Sequence, residues 1–286
     1  EDHVAHQAKG KGGTRCLMPK LIYVHEGVDL SKSTAKRKVL KNVRYFGEDC
    51  SSEDLWLQVA QYISEQYDED KIEIIYISGD GASWIKQGLN WIGKSRFVLD
   101  NHHLNKYIRV ATAHLDDEAI YQGLKDALDW PDKEMAYRVF QRILDLTENE
   151  TKIDAVKDAR KYIMNNWAGI AIKAEKGYEI VGCSAEGHVS HVLSNRLSSR
   201  PKGWSKTGAN QMTKLLVYKK NGGNIYDWVM LQKEQERLQQ KEEIIRGMRR
   251  SGIRYESSFN VDLPAIHGGH KTGLYHALRK LVGKCS

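Results

Sequence analysis

The segment Ile72 to Ser78 is almost wholly apolar and ends abruptly in Gly79-Asp80-Gly81. A half-exposed strand would alternate apolar and polar residues, so a run of this kind reads as a buried central strand. Such a strand needs cover on both faces, which makes the fold α/β with helices packed against a sheet. A second short strand, Phe97 to Leu99, ends in Asp100. Both aspartates therefore stand at strand ends, where ligands gather in open α/β sheets because the following loops converge there.

Upstream, Val4 to Gln7, Leu21 to Gly27 and Val39 to Phe46 read as three strands of a β-meander, with polar turns that include the Lys9 to Gly13 loop. Ser51-Ser52-Glu53-Asp54 carries a helix-start pattern, followed by the helical spacing of Leu55, Val59, Ile63 and Tyr67. Downstream, Asp116 to Trp167 is helical throughout: Glu118 to Leu128, a helix opening at Pro131, and Ile153 to Ile163. Tyr178 to Gly182 reads as a strand, and Ser184 caps a helix from Ala185 to Ser198 that bears Glu186. Tyr226 to Arg250 is a long charged helix, and residues 266–284 look like a glycine-rich loop entering a basic helix.

This order matches a ribonuclease H-like fold: a mixed sheet with helices on both faces and an all-helical insertion. The expected parts are a first piece of the core at 1–103, the insertion at 104–170, a second piece of the core with the Glu186 helix at 171–210, and a basic helical region at 211–286.

The chemistry of that fold needs acidic groups from the first strand, the fourth strand and a late helix, because two magnesium ions require several hard oxygen ligands. Asp80 suits the second position, since flanking glycines let backbone and phosphate approach closely. The alternative is a loop aspartate that merely ends a strand. Glu186 suits the third, in the first turn of its helix, where it could equally be a favourable N-terminal charge.

Composition is that of an ordinary folded soluble protein, with 28% charged and 41% hydrophobic residues in a chain of 286, long enough for a full core. No apolar run approaches the roughly 20 residues of a membrane helix. The chain starts at Glu1 without a signal-peptide pattern, which points to a fragment. Cys16, Cys50, Cys183 and Cys285 form no C-x-x-C pair, fitting a reducing cytoplasm better than a disulfide framework or a zinc knuckle. From Ser190 onward, 18 Lys and Arg face 7 Asp and Glu, a balance of +11, which leaves −4 in residues 1–189 out of a total of +7. The acidic part suits metal and the basic part phosphate; a solvated basic surface is the plainer account.

The segments YISGDGASWIK (76–86), FVLDNHHLNKYI (97–108) and CSAEGHVSHVLSNRLSSRPKGWS (183–205) resemble the transposases of ISLre-type insertion sequences, which are similar to the Mutator-like DDE group. The likeness covers nearly the whole chain. In that group a D-x-x-H or C-x-x-H motif follows the second catalytic aspartate, and a helical insertion precedes the glutamate; here Asp100-x-x-His103 follows Asp80. The resemblance implies Asp80 as the second catalytic carboxylate, Glu186 as the third, and Asp100 with His103 as an accessory pair, with Mg2+ or Mn2+, two ions, as cofactor. The first carboxylate is either Asp2, the aspartate of the opening strand, or a residue upstream of Glu1. The implied activity is cleavage of insertion-sequence ends and their joining to target DNA, by a homo-oligomer on DNA in the bacterial cytoplasm, with no membrane role.

Arg196, Arg200, Lys202, Trp204 and Lys206 combine cations with an aromatic ring, a set suited to phosphate contacts and base stacking. Equally, Trp204 could be a core residue in a basic loop. The 226–250 helix lacks a sustained heptad and reads as solvated. No G-x-S-x-G, P-loop or H-E-x-x-H motif occurs. His188 and His191 are three apart on the Glu186 helix, but no second close ligand pair supports zinc. Two rival readings are a non-catalytic DNA-binding transposase remnant and a ribonuclease H-like nuclease.

Overall fold

Why each element starts and stops is visible in the computed structural model, which describes residues 1–7, 16–35, 37–200 and 202–258. The Lys9–Gly13 loop and the 266–284 segment lie outside the described residues.

The opening strands differ from a meander. β1 (Val4–Ala5) pairs antiparallel with β2 (Cys16–Leu17), a two-residue piece too short to stand out in the sequence. β3 (Lys20–Val24) pairs antiparallel with β4 (Arg44–Glu48), Ile22 opposite Phe46. Val39 belongs not to β4 but to the connecting loop, where its carbonyl accepts from Asp29 N–H at 2.7 Å. Asn42 takes a left-handed φ of 51°, which ends that pairing and delays the strand to Arg44.

α1 (Ser52–Gln66) opens as expected: Ser51 Oγ accepts from Asp54 N–H at 3.0 Å and donates to the Asp54 carboxylate at 2.7 Å. Its buried stripe of Leu55, Trp56, Val59 and Ile63 faces a core containing Ile77 and Ile92. β5 (Ile75–Gly79) runs parallel to β6 (Ser95–Leu99), with the short α2 (Ser83–Lys86) between them. The apolar run thus contributes only its second half to the ladder.

Asp100 ends β6 and caps α3 (Asn101–Thr112), a helix whose buried Leu104, Ile108 and Ala111 keep helical spacing. α4 (Glu118–Asp129), α5 (Lys133–Leu146) and α6 (Glu150–Asn165) fill the expected helical stretch, α5 being capped by Asp132 rather than opened by Pro131. α7 (Trp167–Lys176) lies against β6 so closely that a Cβ on Gly169 would meet the Phe97 ring at 2.8 Å and Leu99 N at 2.9 Å. Phe97 and Leu99 share one core with Ile108, Leu124, Phe140 and Ile163, so the helices are packed onto the β5–β6 pair.

Tyr178 to Gly182 is not a strand. Glu179 N–H closes a turn onto Lys176 O at 2.9 Å, and the chain continues without strand partners to Ser184. α8 (Ala185–Val189) follows, then a π-helical turn at Ser190–Ser194 and α9 (Asn195–Leu197). Ser184 holds the N-cap position, yet its side chain makes no capping bond; its N–H donates to Tyr23 Oη at 3.2 Å. α10 (Lys206–Lys220) packs on β4 and buries Ala209, Thr213 and Val217, residues too small or polar to announce a helix by hydrophobic period. A third core joins Val4, Leu21, Val192, Leu193, Leu197 and Val217.

The result is a mixed α/β chain dominated by helix, with three two-stranded sheets among the described residues. Glu1–Gly223 forms one compact unit. A second unit starts at Asn224 and contains α11 (Ile225–Ser258), whose residues 225–247 are mostly exposed. No helix among the described residues is long and apolar enough to cross a membrane.

Candidate active site

Asp80 sits on a turn that its two glycines make possible. Gly81 has φ +88°, and a Cβ there would run into the Asn166 carboxamide; a Cβ on Gly79 would meet Ile85 at 2.7 Å. Asp80 Oδ1 accepts from Ala82 N–H at 2.9 Å, which turns the chain into α2. Tyr162, from α6, donates its hydroxyl to the Asp80 carbonyl and stacks on Tyr107 with ring centroids 3.7 Å apart. Burial, then the Asp80 charge, pushes the Tyr162 hydroxyl well above the usual phenol range, so it stays a donor.

Asp100 is used twice: Oδ1 accepts from His102 N–H at 3.1 Å as the α3 cap, and Oδ2 meets His103 Nδ1 at 3.0 Å. The D-x-x-H spacing is thus a cap residue and a third-position histidine on one helix. The other face of the imidazole looks toward Glu186, whose Oε1 lies 3.8 Å from His103 Nε2 and 3.6 Å from His102 Nε2. Glu186 itself is 64% exposed, while Asp100 is buried.

The Glu186 helix is anchored by His188. Its ring stacks on Tyr23 at 4.0 Å, and Nδ1 hydrogen-bonds Tyr45 Oη at 2.8 Å. Burial lowers the His188 pKa and raises that of Tyr23 to about 12. His188 therefore serves as a packing residue joining α8 to β3 and β4.

Asp2 is 6% exposed. Its Oδ1 accepts from Ser194 Oγ at 3.0 Å and Ser198 Oγ at 2.8 Å, whereas Oδ2 is buried with no hydrogen-bond partner among the described residues. An orphaned buried carboxylate oxygen is costly unless something charged meets it.

Asp2, Asp80, Asp100, His103 and Glu186 all line one cavity of about 1000 Å3. Their oxygens suit a hard divalent cation. As placed, however, no three His, Cys, Asp or Glu side chains among the described residues form a group that could hold a metal ion.

The basic set is distributed differently. Arg196 and Arg200 are exposed, and Lys202 is half-buried. Lys206, at the start of α10, lies 4.0 Å from Asp49. Trp204 packs against the third core, its indole N–H donates to Leu197 O at 3.0 Å, and its backbone pairs with Ala5 and Gln7. That placement makes it a clamp between the chain start and α9, in line with the core alternative.

Residues 1–235 match the family described as an uncharacterised protein family, UPF0236. The chain belongs to UPF0236. Several UPF0236 proteins of Caldanaerobacter subterraneus subsp. tengcongensis are 48% identical to it over 229 residues, 79% of this chain and 44 to 46% of theirs. A UPF0236 protein of Streptococcus gallolyticus is 28% identical over 210 residues, 70% of this chain and 44% of that protein. The chain thus spans less than half the length of these UPF0236 relatives. One Caldanaerobacter name joins eleven loci of that genome and another joins four. No solved structure matches the chain.

Several residues of this UPF0236 site escaped sequence reasoning. His102, the second intervening residue of the D-x-x-H motif, could have been suspected from its place. Tyr107, Tyr162, Asn166 and Lys173 lie 7 to 93 residues away from Asp80 or Asp100 and carry no local signal. Lys173, on α7, is held below the usual lysine range by burial while Asp100 draws it the other way.

Proposed function

We propose that this chain is the catalytic part of a DNA transposase of the DDE class, cutting transposon ends and joining them to target DNA by metal-dependent phosphoryl transfer. What carries the reading is that Asp2, Asp80, Asp100, His103 and Glu186, singled out along 185 residues of sequence, line a single cavity. Two further points support it. Relatives that occur at eleven loci in one genome are what a mobile element leaves behind. The parallel β5–β6 pair, ending in Asp80 and Asp100 with helices packed against it, is compatible with a ribonuclease H-like core.

In this reading Asp2, Asp80 and Glu186 are the carboxylates for Mg2+ or Mn2+, which would stabilise charge on the phosphoryl oxygens. Asp100 fixes the orientation of His103, whose Nε2 faces Glu186 and can hold or pass a proton there. The exposed Arg196 and Arg200 suit phosphate, and the active form is an oligomer on DNA in the cytoplasm.

The test is cleavage of a labelled transposon-end duplex by the full-length polypeptide in Mg2+. Cleavage is expected to vanish in Asp80→Asn and Glu186→Gln while DNA binding persists. Undiminished cleavage in both variants sinks the reading. Binding without any cleavage by the unmodified protein favours the alternative of a non-catalytic DNA-binding remnant, which the ungathered carboxylates would explain.

A further inference from the structure

The cavity that holds the acidic residues is also bounded by two strand edges. β3 contributes Leu21 to Val24 to its lining and β5 contributes Ile75 to Gly79, yet among the described residues β3 pairs with β4 and β5 with β6, never with each other.

The direction of each backbone group follows from bonds already made. Ile75 N–H donates to Lys94 O and Gly79 O accepts from Asp100 N–H, both on the β6 side. Backbone groups alternate sides along a strand, so the N–H and C=O of Tyr76 and Ser78 point the other way, toward β3. On β4, Tyr45 spends its N–H and C=O on the Asn221 side chain, at 2.8 Å each, and Asp49 N–H goes to Asn210. Tyr45 therefore bonds away from β3, and the opposite Tyr23 forms a non-hydrogen-bonded pair with it. Tyr23, and Leu21 two residues before it, accordingly aim their N–H and C=O away from β4 and toward β5.

Two rows of peptide groups thus face each other across an apolar space walled by Ile22, Val24, Val59, Ile63 and Ile77. Peptide groups left without partners in such a setting cost free energy, and an extended strand laid between them would satisfy both edges. A first rung exists. Pro19, of the same alternation as Leu21 and Tyr23, accepts on this edge from Asp2 N–H at 3.2 Å, continuing the β1–β2 register of Val4 opposite Leu17.

We propose that this slot receives a β-strand from the part of the UPF0236 polypeptide that lies beyond these 286 residues, hydrogen-bonded to β3 on one side and β5 on the other, merging the two pairs into one sheet. The occupant is assigned to the same polypeptide because the relatives have more than half their length outside the matched region. The inserted strand would extend the ladder that Asp2 begins, and it is independent of any catalytic role.

Residue-resolved amide hydrogen exchange tests this, comparing the 286-residue chain with a full-length Caldanaerobacter relative in the absence of DNA and metal. The amides equivalent to Leu21, Tyr23, Tyr76 and Ser78 should exchange at least about 100-fold more slowly in the full-length protein, as expected for amides drawn into a core ladder. Those of Ile22 and Ile77, which face β4 and β6, should be slow in both. Fast exchange of all four in the full-length protein overturns the proposal. So does equal protection in the 286-residue chain: if it depends on concentration the occupant is a second copy, and if not the two edges are satisfied from within. Undiminished DNA cleavage in the Asp80 and Glu186 variants, which would sink the transposase reading, would leave this result untouched, so the two ideas fail separately.

Discussion

His103 Nδ1 and Asp100 Oδ2 are joined at 3.0 Å, while the second oxygen of the same carboxylate caps α3 through His102 N–H at 3.1 Å. One side chain therefore both starts the helix and sets the ring carried on its first turn. Replacing Asp100 by Ala removes a cap, a loss of about 1 kcal/mol, and frees the ring besides. Asp100→Asn retains the cap acceptor but not the charged partner. Urea unfolding is expected to rank the unmodified chain above Asp100→Asn and that above Asp100→Ala. His103→Gln should leave stability within about 0.5 kcal/mol, as for a change away from the core. Equal midpoints for all four proteins would contradict the dual role.

Tyr162 reaches from α6 to the Asp80 carbonyl, so Tyr162→Phe deletes one half-buried donor and keeps the stack on Tyr107. The expected loss is about 1–3 kcal/mol of stability, since the carbonyl is left without that partner. Exchange of the Asp80–Ala82 backbone should speed up more than that of the distant α4. Uniform acceleration, or none, would argue against a local tether.

Two glycines should respond in opposite directions. Gly81→Ala forces a side chain into a left-handed φ of +88° and against Asn166, and should cost about 1–3 kcal/mol. Gly123 lies inside α4 with nothing within 4 Å of its missing Cβ, so Gly123→Ala should stabilise by about 0.5–1 kcal/mol. Thermal midpoints of the two variants decide both.

Acid should weaken the chain through half-buried histidines. Burial lowers the pKa of His188 and of His25 below the ordinary 6.5. Between those lowered values and 6.5 the unfolded state binds more protons than the folded one, so stability rises with pH across that window and is lost as pH falls through it. Unfolding midpoints measured from pH 7.5 down to about 5 should drop, and His188→Gln should flatten the slope. A slope unchanged in that variant would remove His188 from the account.

The β5 strand, its Asp80 turn and the α1 cap were readable because each depends on residues close in sequence: apolar runs, a glycine-flanked aspartate, a serine three residues before an acid. α3 falls largely within the helical insertion expected at 104–170, but its start at Asn101 lies inside Asp100-x-x-His103, a motif that points to chemistry and is also a cap. α10 gave little signal because Thr213 and Ala209 fill its buried face. The strand expected at Tyr178–Gly182 failed for the converse reason, since its residues favour a strand but no strand edge pairs with them.

By itself, then, the sequence determined the α/β character, the helical stretch and which acidic residues stand at element ends, because period and capping are local properties. Only the tertiary structure decided that Asp2 is held by Ser194 and Ser198, that Tyr162 secures the Asp80 turn, and that Glu186 faces His103. Those contacts join groups some 80 to 200 residues apart, and their geometry is set by how helices close over the β5–β6 pair and by the edges of β3 and β5, which no local pattern records.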